Sequence, residues 1–137
     1  MHNKVIRSVL LFGLLCSMSI LNAQSMETKH IHPEAEYDNV HVKKMHSDDR
    51  STTFLIWVKE KVKPHKHAAH TEVIVVLKGK GMMTVGDQTK QIRKGDLIIV
   101  PQGTVHSVIT TSRKPLKVVS VQSPVFLGKD RIWIEEK

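Results

Sequence analysis

The sequence predicts an all-β fold, a single sandwich or barrel of antiparallel strands, on three observations. Short runs rich in Val, Ile and Thr recur along the chain, and such residues suit a pleated surface. Glycine- and proline-bearing turns fall between them. Beyond the N-terminal segment, no apolar stripe of 3.6-residue period is long enough for a helix of three turns.

The runs are Thr52 to Val58, Val73 to Leu77, Leu97 to Val100, Thr104 to Thr110 and Leu116 to Val121. Gly79, Gly81, Gly86-Asp87, Gly95-Asp96 and Pro101-Gln102-Gly103 lie where hairpins and tight turns need them. Strands of this length, separated by turns every 8 to 12 residues or so, point to a sandwich or barrel. The sequence holds no internal repeat and no low-complexity segment.

The first 23 residues read differently. Lys4 and Arg7 precede an apolar run from Val9 to Leu21, and Ala23 offers a small residue for cleavage. This is the pattern of a cleavable signal peptide; a membrane span needs about 20 apolar residues. The bulky Leu15 before Cys16 argues against lipid attachment at that cysteine, so no stable membrane anchor is expected after processing. The protein is expected to be exported, periplasmic or extracellular. Its organisation reads as a signal peptide over 1–23, a loose polar arm over 24–37, and one β-barrel domain over 38–137.

Cleavage after residue 23 leaves 114 of the 137 residues and removes Cys16, the only cysteine. A domain of that size must then rely on its packed core without disulfides. The net charge of +8 falls to +6 when Lys4 and Arg7 leave. The basic residues are dispersed, as on an ordinary solvated surface. With three Phe, two Trp and no aromatic–basic alternation, the chain offers no base-stacking platform, which excludes nucleic acid as a partner.

Chemistry concentrates in His65-Lys66-His67-Ala68-Ala69-His70-Thr71-Glu72. Histidines at i and i+2 on a strand point to one face. Glu72 shares a face with Ile74 and Val76, and a carboxylate on a buried face is costly unless it is paired or bound to a metal. His106 follows the tight turn at Pro101-Gln102-Gly103. A second pair, His30 and His32, falls in the polar arm and reads as solvent-exposed.

Together these residues resemble the two motifs of the cupin superfamily. The first, G-x5-H-x-H-x(3,4)-E-x6-G, is matched by His65, His67, Glu72 and Gly79. The second, G-x5-P-x-G-x2-H-x3-N, is matched by Gly95, Pro101, Gly103 and His106. Lys59 stands where the first motif opens with Gly, and Thr110 where the second closes with Asn; neither is in the ligand set. The resemblance implies a jelly-roll barrel, often a homodimer, holding one divalent metal ion through His65, His67, Glu72 and His106. Three imidazoles and one carboxylate leave two positions open on an octahedral ion, suited to exchangeable oxygen ligands. Zinc, copper, nickel, manganese and iron all accept such a set, and raw affinity outside the cytoplasm favours copper, zinc and nickel.

Function follows less directly, because one fold hosts many activities. The complete ligand set favours a small metalloenzyme acting on an oxygen-rich small molecule such as a sugar acid, a phenolic or a short organic acid. Glu72 is the candidate catalytic group, able to accept a proton if it leaves the metal. The alternative is a binding protein that captures a small ligand or metal without turnover, and a third reading is a metal-stabilised structural barrel. Among the remaining residues, His70 is expected to be exposed, with support of a ligand or proton shuttling as alternatives. Met82 and Met83 are expected to line the barrel, Trp57 and Trp133 to pack in the core or a dimer interface, and Asp130 and Arg131 to form a solvated pair.

Overall fold

The computed structural model describes residues 25–135. The expected signal peptide lies outside the described residues. Ten strands follow a short 3-10 turn at Thr28–His30: β1 Val40–Ser47, β2 Thr52–Val58, β3 Lys61–His67, β4 Thr71–Lys78, β5 Lys80–Val85, β6 Gln88–Arg93, β7 Leu97–Val100, β8 His106–Thr110, β9 Leu116–Ser123 and β10 Arg131–Trp133. They form two five-stranded sheets, ordered β1-β2-β9-β4-β7 and β10-β3-β8-β5-β6. Every pairing is antiparallel. Among the described residues no helix is long and apolar enough to cross a membrane.

Alternation builds the core. On β4, Ile74 and Val76 are buried, and on β9 Leu116 and Val118 share that fate. Ile74 lies opposite Ser120 and Val76 opposite Val118, so the inward rows of the two strands coincide. Val58, Met83, Ile92, Val100 and Val108 complete one apolar cluster between the sheets. Met83 therefore lines the barrel as expected. Gly79 turns the chain from β4 into β5 at φ +84°, and a Cβ there would come within 2.9 Å of the Leu116 Cα. Both the left-handed backbone and the close approach demand glycine.

The strong apolar runs appear as β2, β4, β7, β8 and β9, with β2 and β7 at the expected ends and the other three shifted. The run from Thr104 begins as a strand only at His106, because the Thr104 N–H bonds the Pro101 carbonyl at 3.1 Å and closes the turn. The strands β1, β5, β6 and β10 carry no comparable run; in β6 only Ile92 is buried.

The described residues 25–31 belong to one unit, and the chain from His32 onward forms the other. In that second unit, Glu34 pairs with Lys43, and the Tyr37 ring lies 5.5 Å from His41. The Asn39 side-chain oxygen accepts from the Glu60 and Lys61 amides at 2.9 and 3.1 Å. His30 and His32 are exposed, as expected.

Candidate metal centre

The histidine pair sits on β3 because of a register shift. Val62 and His65 both line the interior, yet they are three residues apart, which strict two-residue alternation forbids. An irregularity between Val62 and His65 in the pairing with β8 supplies the extra residue. Pro64, which has no N–H to offer a ladder, occupies this stretch. Beyond it, His65 and His67 alternate normally and both are buried.

Three strands deliver the other groups. His65 is the direct partner of His106 on β8, and their ring centroids are 4.1 Å apart. Glu72 enters from the opposite sheet at the start of β4, buried beside Gln122 of β9. One ligand-type atom from each of His65, His67 and His106 falls within 4.8 Å of the other two. Glu72 approaches this group with Oε2, 3.1 Å from His106 Nε2 and 3.5 Å from His67 Nε2.

Hydrogen bonds assign the ring nitrogens. His65 Nδ1 lies 2.9 Å from the Lys63 carbonyl, and His106 Nδ1 lies 3.1 Å from the Thr104 carbonyl. A carbonyl only accepts, so each Nδ1 carries the proton and each Nε2 is left to face the interior. His67 is 1% exposed and neither of its nitrogens has an aligned hydrogen-bond partner. Buried polar atoms are rarely left so.

Electrostatics favour a neutral imidazole at His65. Burial pushes its pKa down to about 4, helped by the neighbouring His106, while the Lys63 carbonyl opposes the shift. For Glu72, burial works to raise the pKa, but the close approach of the His106 and His67 rings and the Ser120 hydroxyl outweighs it and holds the carboxyl well below the usual range. Ser120 Oγ donates to Glu72 Oε1, and Gln122 Nε2 approaches the same oxygen at 3.4 Å. These two side chains anchor one carboxylate oxygen and leave the other, Oε2, toward the histidines.

The donor set fits a divalent ion. If His106 Nδ1 is protonated, its Nε2 lone pair confronts a carboxylate oxygen at 3.1 Å, and a proton or a cation must lie between them. The orphaned His67 Nε2 faces the same oxygen. A cation that takes His65, His67, His106 and Glu72 satisfies all four groups at once, and the N/O composition accommodates zinc, copper, nickel, manganese or iron.

A cavity of about 70 Å3 adjoins the group, lined by His65, Glu72 and His106 on one side. Ile56, Val58, Ile74, Met83 and Val108 supply an apolar wall. Val42 and Arg131 also line it and are exposed, so the cavity reaches solvent. Arg131 and Trp133 lie opposite His67 and His65 on β10 and β3, which puts all four on one face. The Trp133 ring is 5.2 Å from His65, with the Arg131 guanidinium 5.4 Å from the indole.

Several expectations change here. His70 is 4% exposed instead of solvated. Asp130 does not pair with Arg131: its Oδ2 accepts from His70 Nδ1 and its Oδ1 from the Ala69 amide. Trp133 is 55% exposed and packs in no core of this chain, which leaves the dimer interface of its two expected places, whereas Trp57 is buried as expected. Ser120 and Gln122 are site residues that sequence reasoning passed over. Their signal is a buried row on β9 that turns polar after Leu116 and Val118.

Comparisons with known proteins agree with this geometry. An uncharacterised protein of Aquifex aeolicus is 31% identical over 102 residues, spanning 74% of this chain and 84% of that protein. The mannose-1-phosphate guanylyltransferase RfbM of Salmonella typhimurium is 32% identical over 73 residues, which is 53% of this chain but 15% of that enzyme. In structure, a protein with a double-stranded β-helix domain from Klebsiella pneumoniae matches with a TM-score of 0.70 at 15% identity, covering 84% of this chain and all of that one. The cupin domain family profile matches residues 52–122, which contain both histidine-bearing strands, Glu72 and the polar end of β9. With two antiparallel sheets enclosing that cluster, the chain belongs to the cupin family.

Proposed function

We propose that this chain is an exported, mononuclear metal-binding cupin that acts on a small, oxygen-rich acid. The observation that carries the metal reading is the approach of His106 Nε2 to Glu72 Oε2 at 3.1 Å beside the unpartnered His67 Nε2. When bound, the ion supplies Lewis acidity or an activated water. The chain's own residues do the rest. His65, His67 and His106 hold the ion as neutral ligands, and Glu72 adds charge through Oε2. Because Ser120 tethers Oε1, Glu72 can accept a proton from a bound molecule at Oε2 when that oxygen leaves the ion.

Arg131 selects among oxygen-rich molecules. It lines the cavity, and no described carboxylate pairs with its guanidinium, so it can take the anionic end of a ligand bidentately. This favours a sugar acid or a short organic acid over a neutral phenolic. The cavity, at about 70 Å3, is far smaller than the roughly 300–1,000 Å3 of pockets for drug-sized ligands. It therefore takes a short acid whole, or the reacting end of a sugar acid whose remainder extends past the exposed Arg131. The similarity to an enzyme named for mannose-1-phosphate, itself an oxygen-rich anion, supports the same class.

One observation favours capture without turnover. Beyond the four ligands, the described cavity lining offers Ser107 and Arg131 as polar side chains and no further carboxylate. The deciding experiment is elemental analysis of exported protein, followed by calorimetry and product analysis with short hydroxy acids and sugar acids on the metal-loaded form. Binding with product establishes an enzyme, and binding without product establishes the capture protein. Protein that holds no stoichiometric ion and binds none of these acids overturns the proposal.

A further inference from the structure

Each ligand histidine must present a lone pair to the ion, and that requires its other nitrogen to be held by an acceptor. For His65 and His106 the acceptor is a backbone carbonyl two residues earlier, at Lys63 and Thr104. His67 has no such carbonyl. Its Nδ1 instead lies 3.3 Å from Asp130 Oδ2, within ion-pair distance though off the axis of a hydrogen bond. Asp130 arrives from the segment between β9 and β10, some sixty residues along the chain.

Asp130 is itself held on every side. Its Oδ1 accepts from the Ala69 amide at 2.7 Å, and its Oδ2 accepts from His70 Nδ1. The Ala68 amide bonds the Asp130 carbonyl at 3.2 Å, fixing the backbone too. His70 in turn donates from Nε2 to the Val125 carbonyl at 2.9 Å. Both His70 nitrogens thus face acceptors, and the ring clamps the carboxylate in place. Neither residue has a role in the ligand set.

We propose that Asp130, clamped by His70, is the positioning residue that fixes His67 as its Nδ1–H tautomer and so turns Nε2 toward the metal. Asp130 does for His67 what the Lys63 and Thr104 carbonyls do for the other two histidines. The arrangement also argues against a second ion among His67, His70 and Asp130, although the three ligand-type atoms lie within 4.8 Å of one another. His70 Nδ1 and Asp130 Oδ2 are in direct hydrogen-bonded contact, which leaves no space for a cation between them.

Asp130→Asn tests this sharply. The Ala69 amide keeps the amide oxygen in the Oδ1 place, so an NH2 donor replaces the acceptor at Oδ2. His67 should then move its proton to Nε2, the nitrogen needed for ligation. Imidazole 15N NMR on the metal-free full chain reads the tautomer directly, and a competition titration with zinc(II) reads affinity. The expected result is Nδ1–H at His67 in wild type, Nε2–H in Asp130→Asn, and unchanged His65 and His106 in both. Zinc affinity should fall about 10- to 100-fold. Wild-type His67 protonated on Nε2 overturns the proposal even if the variant does not fold. An unchanged tautomer in Asp130→Asn, or two zinc ions per chain, overturns it as well. The second readout rests on the metal reading above, whereas the tautomer readout does not: wild type with Nδ1–H at His67 that binds no zinc sustains this assignment and defeats only the metal reading.

Discussion

His65 on β3 and His106 on β8 face each other directly across an antiparallel pair, with ring centroids 4.1 Å apart and each Nδ1 on a backbone carbonyl. Two imidazoles this close, both buried, are tolerable only while neutral or shared with an ion. The cross-strand pair and its carbonyls thus make one preformed half of a ligand set, to which His67 and Glu72 add the other half.

Protein recovered from its native compartment should carry about one ion per chain, and that ion should be zinc, copper or nickel in preference to iron, following the general affinity order. His67→Ala should remove most of it, because the deepest ligand and its unpartnered nitrogens go together. Mass spectrometry of metals checks both. Stoichiometric iron in natively exported protein, or full metal content in the variant, contradicts this.

Glu72→Gln should lower turnover of a short acid more than it lowers metal content. The amide keeps an oxygen for the ion yet cannot accept a proton. Its NH2 also meets Ser120 and Gln122 where Oε1 sat, so a small loss of stability is expected, about 1–3 kcal/mol for a disturbed buried hydrogen-bond set. Equal losses of metal and turnover reduce Glu72 to a plain ligand.

Arg131→Gln should weaken binding of acids about 10- to 100-fold, the value of about 1.5–3 kcal/mol for a hydrogen bond to a charged group. Metal content should not change, since Arg131 sits at the mouth and holds no ligand. Calorimetry on loaded wild type and variant measures it. Equal affinity for acids in both proteins removes Arg131 from recognition.

Metal-free protein should lose stability as pH falls from about 6.5 toward 4. In that window the unfolded chain binds a proton at His65 that the folded chain, with its pKa pushed down to about 4, does not. The linkage slope is about 1.4 kcal/mol per pH unit, or about 3 kcal/mol over the window. Glu72 and Asp130, both held below the ordinary carboxylate range, contribute stability above it that is lost at still lower pH, in the same direction. Denaturant titrations with chelator present give the curve; a flat profile between pH 7 and 4.5 refutes it.

Exported protein should begin at or within two residues of Gln24, by intact mass. Retention of residues 1–23 in a soluble cytosolic form would reverse the assignment of that segment.

The motif spacing in the sequence led to His65, His67, Glu72 and His106, because short-range geometry dictates it: a strand for the pair and a tight turn before His106. What lay beyond reach depends on register. Ser120 and Gln122 reach Glu72 only through the pairing of β4 with β9, which alternation alone cannot align. Asp130 is separated from His67 by most of the barrel, and its pairing with the nearer Arg131 looked natural on paper. His70 looked exposed because nothing local announces the Val125 carbonyl that waits for it. The polar strands β1 and β6 were illegible for a different reason: exposed strands need no apolar pattern.

The irregularity between Val62 and His65 divides β3 into two stretches with independent phase. The first is tied to the apolar wall through Val62, the second to the candidate metal centre through the histidine pair. A regular ladder through Lys63-Pro64, with no residue bulged out, would turn both imidazoles outward while leaving Val62 where it is. The barrel can therefore shed its chemistry without rebuilding its core when the bulge is lost, and regain it when the bulge returns, so in a lineage of such barrels site and scaffold are free to drift apart at one short stretch of chain.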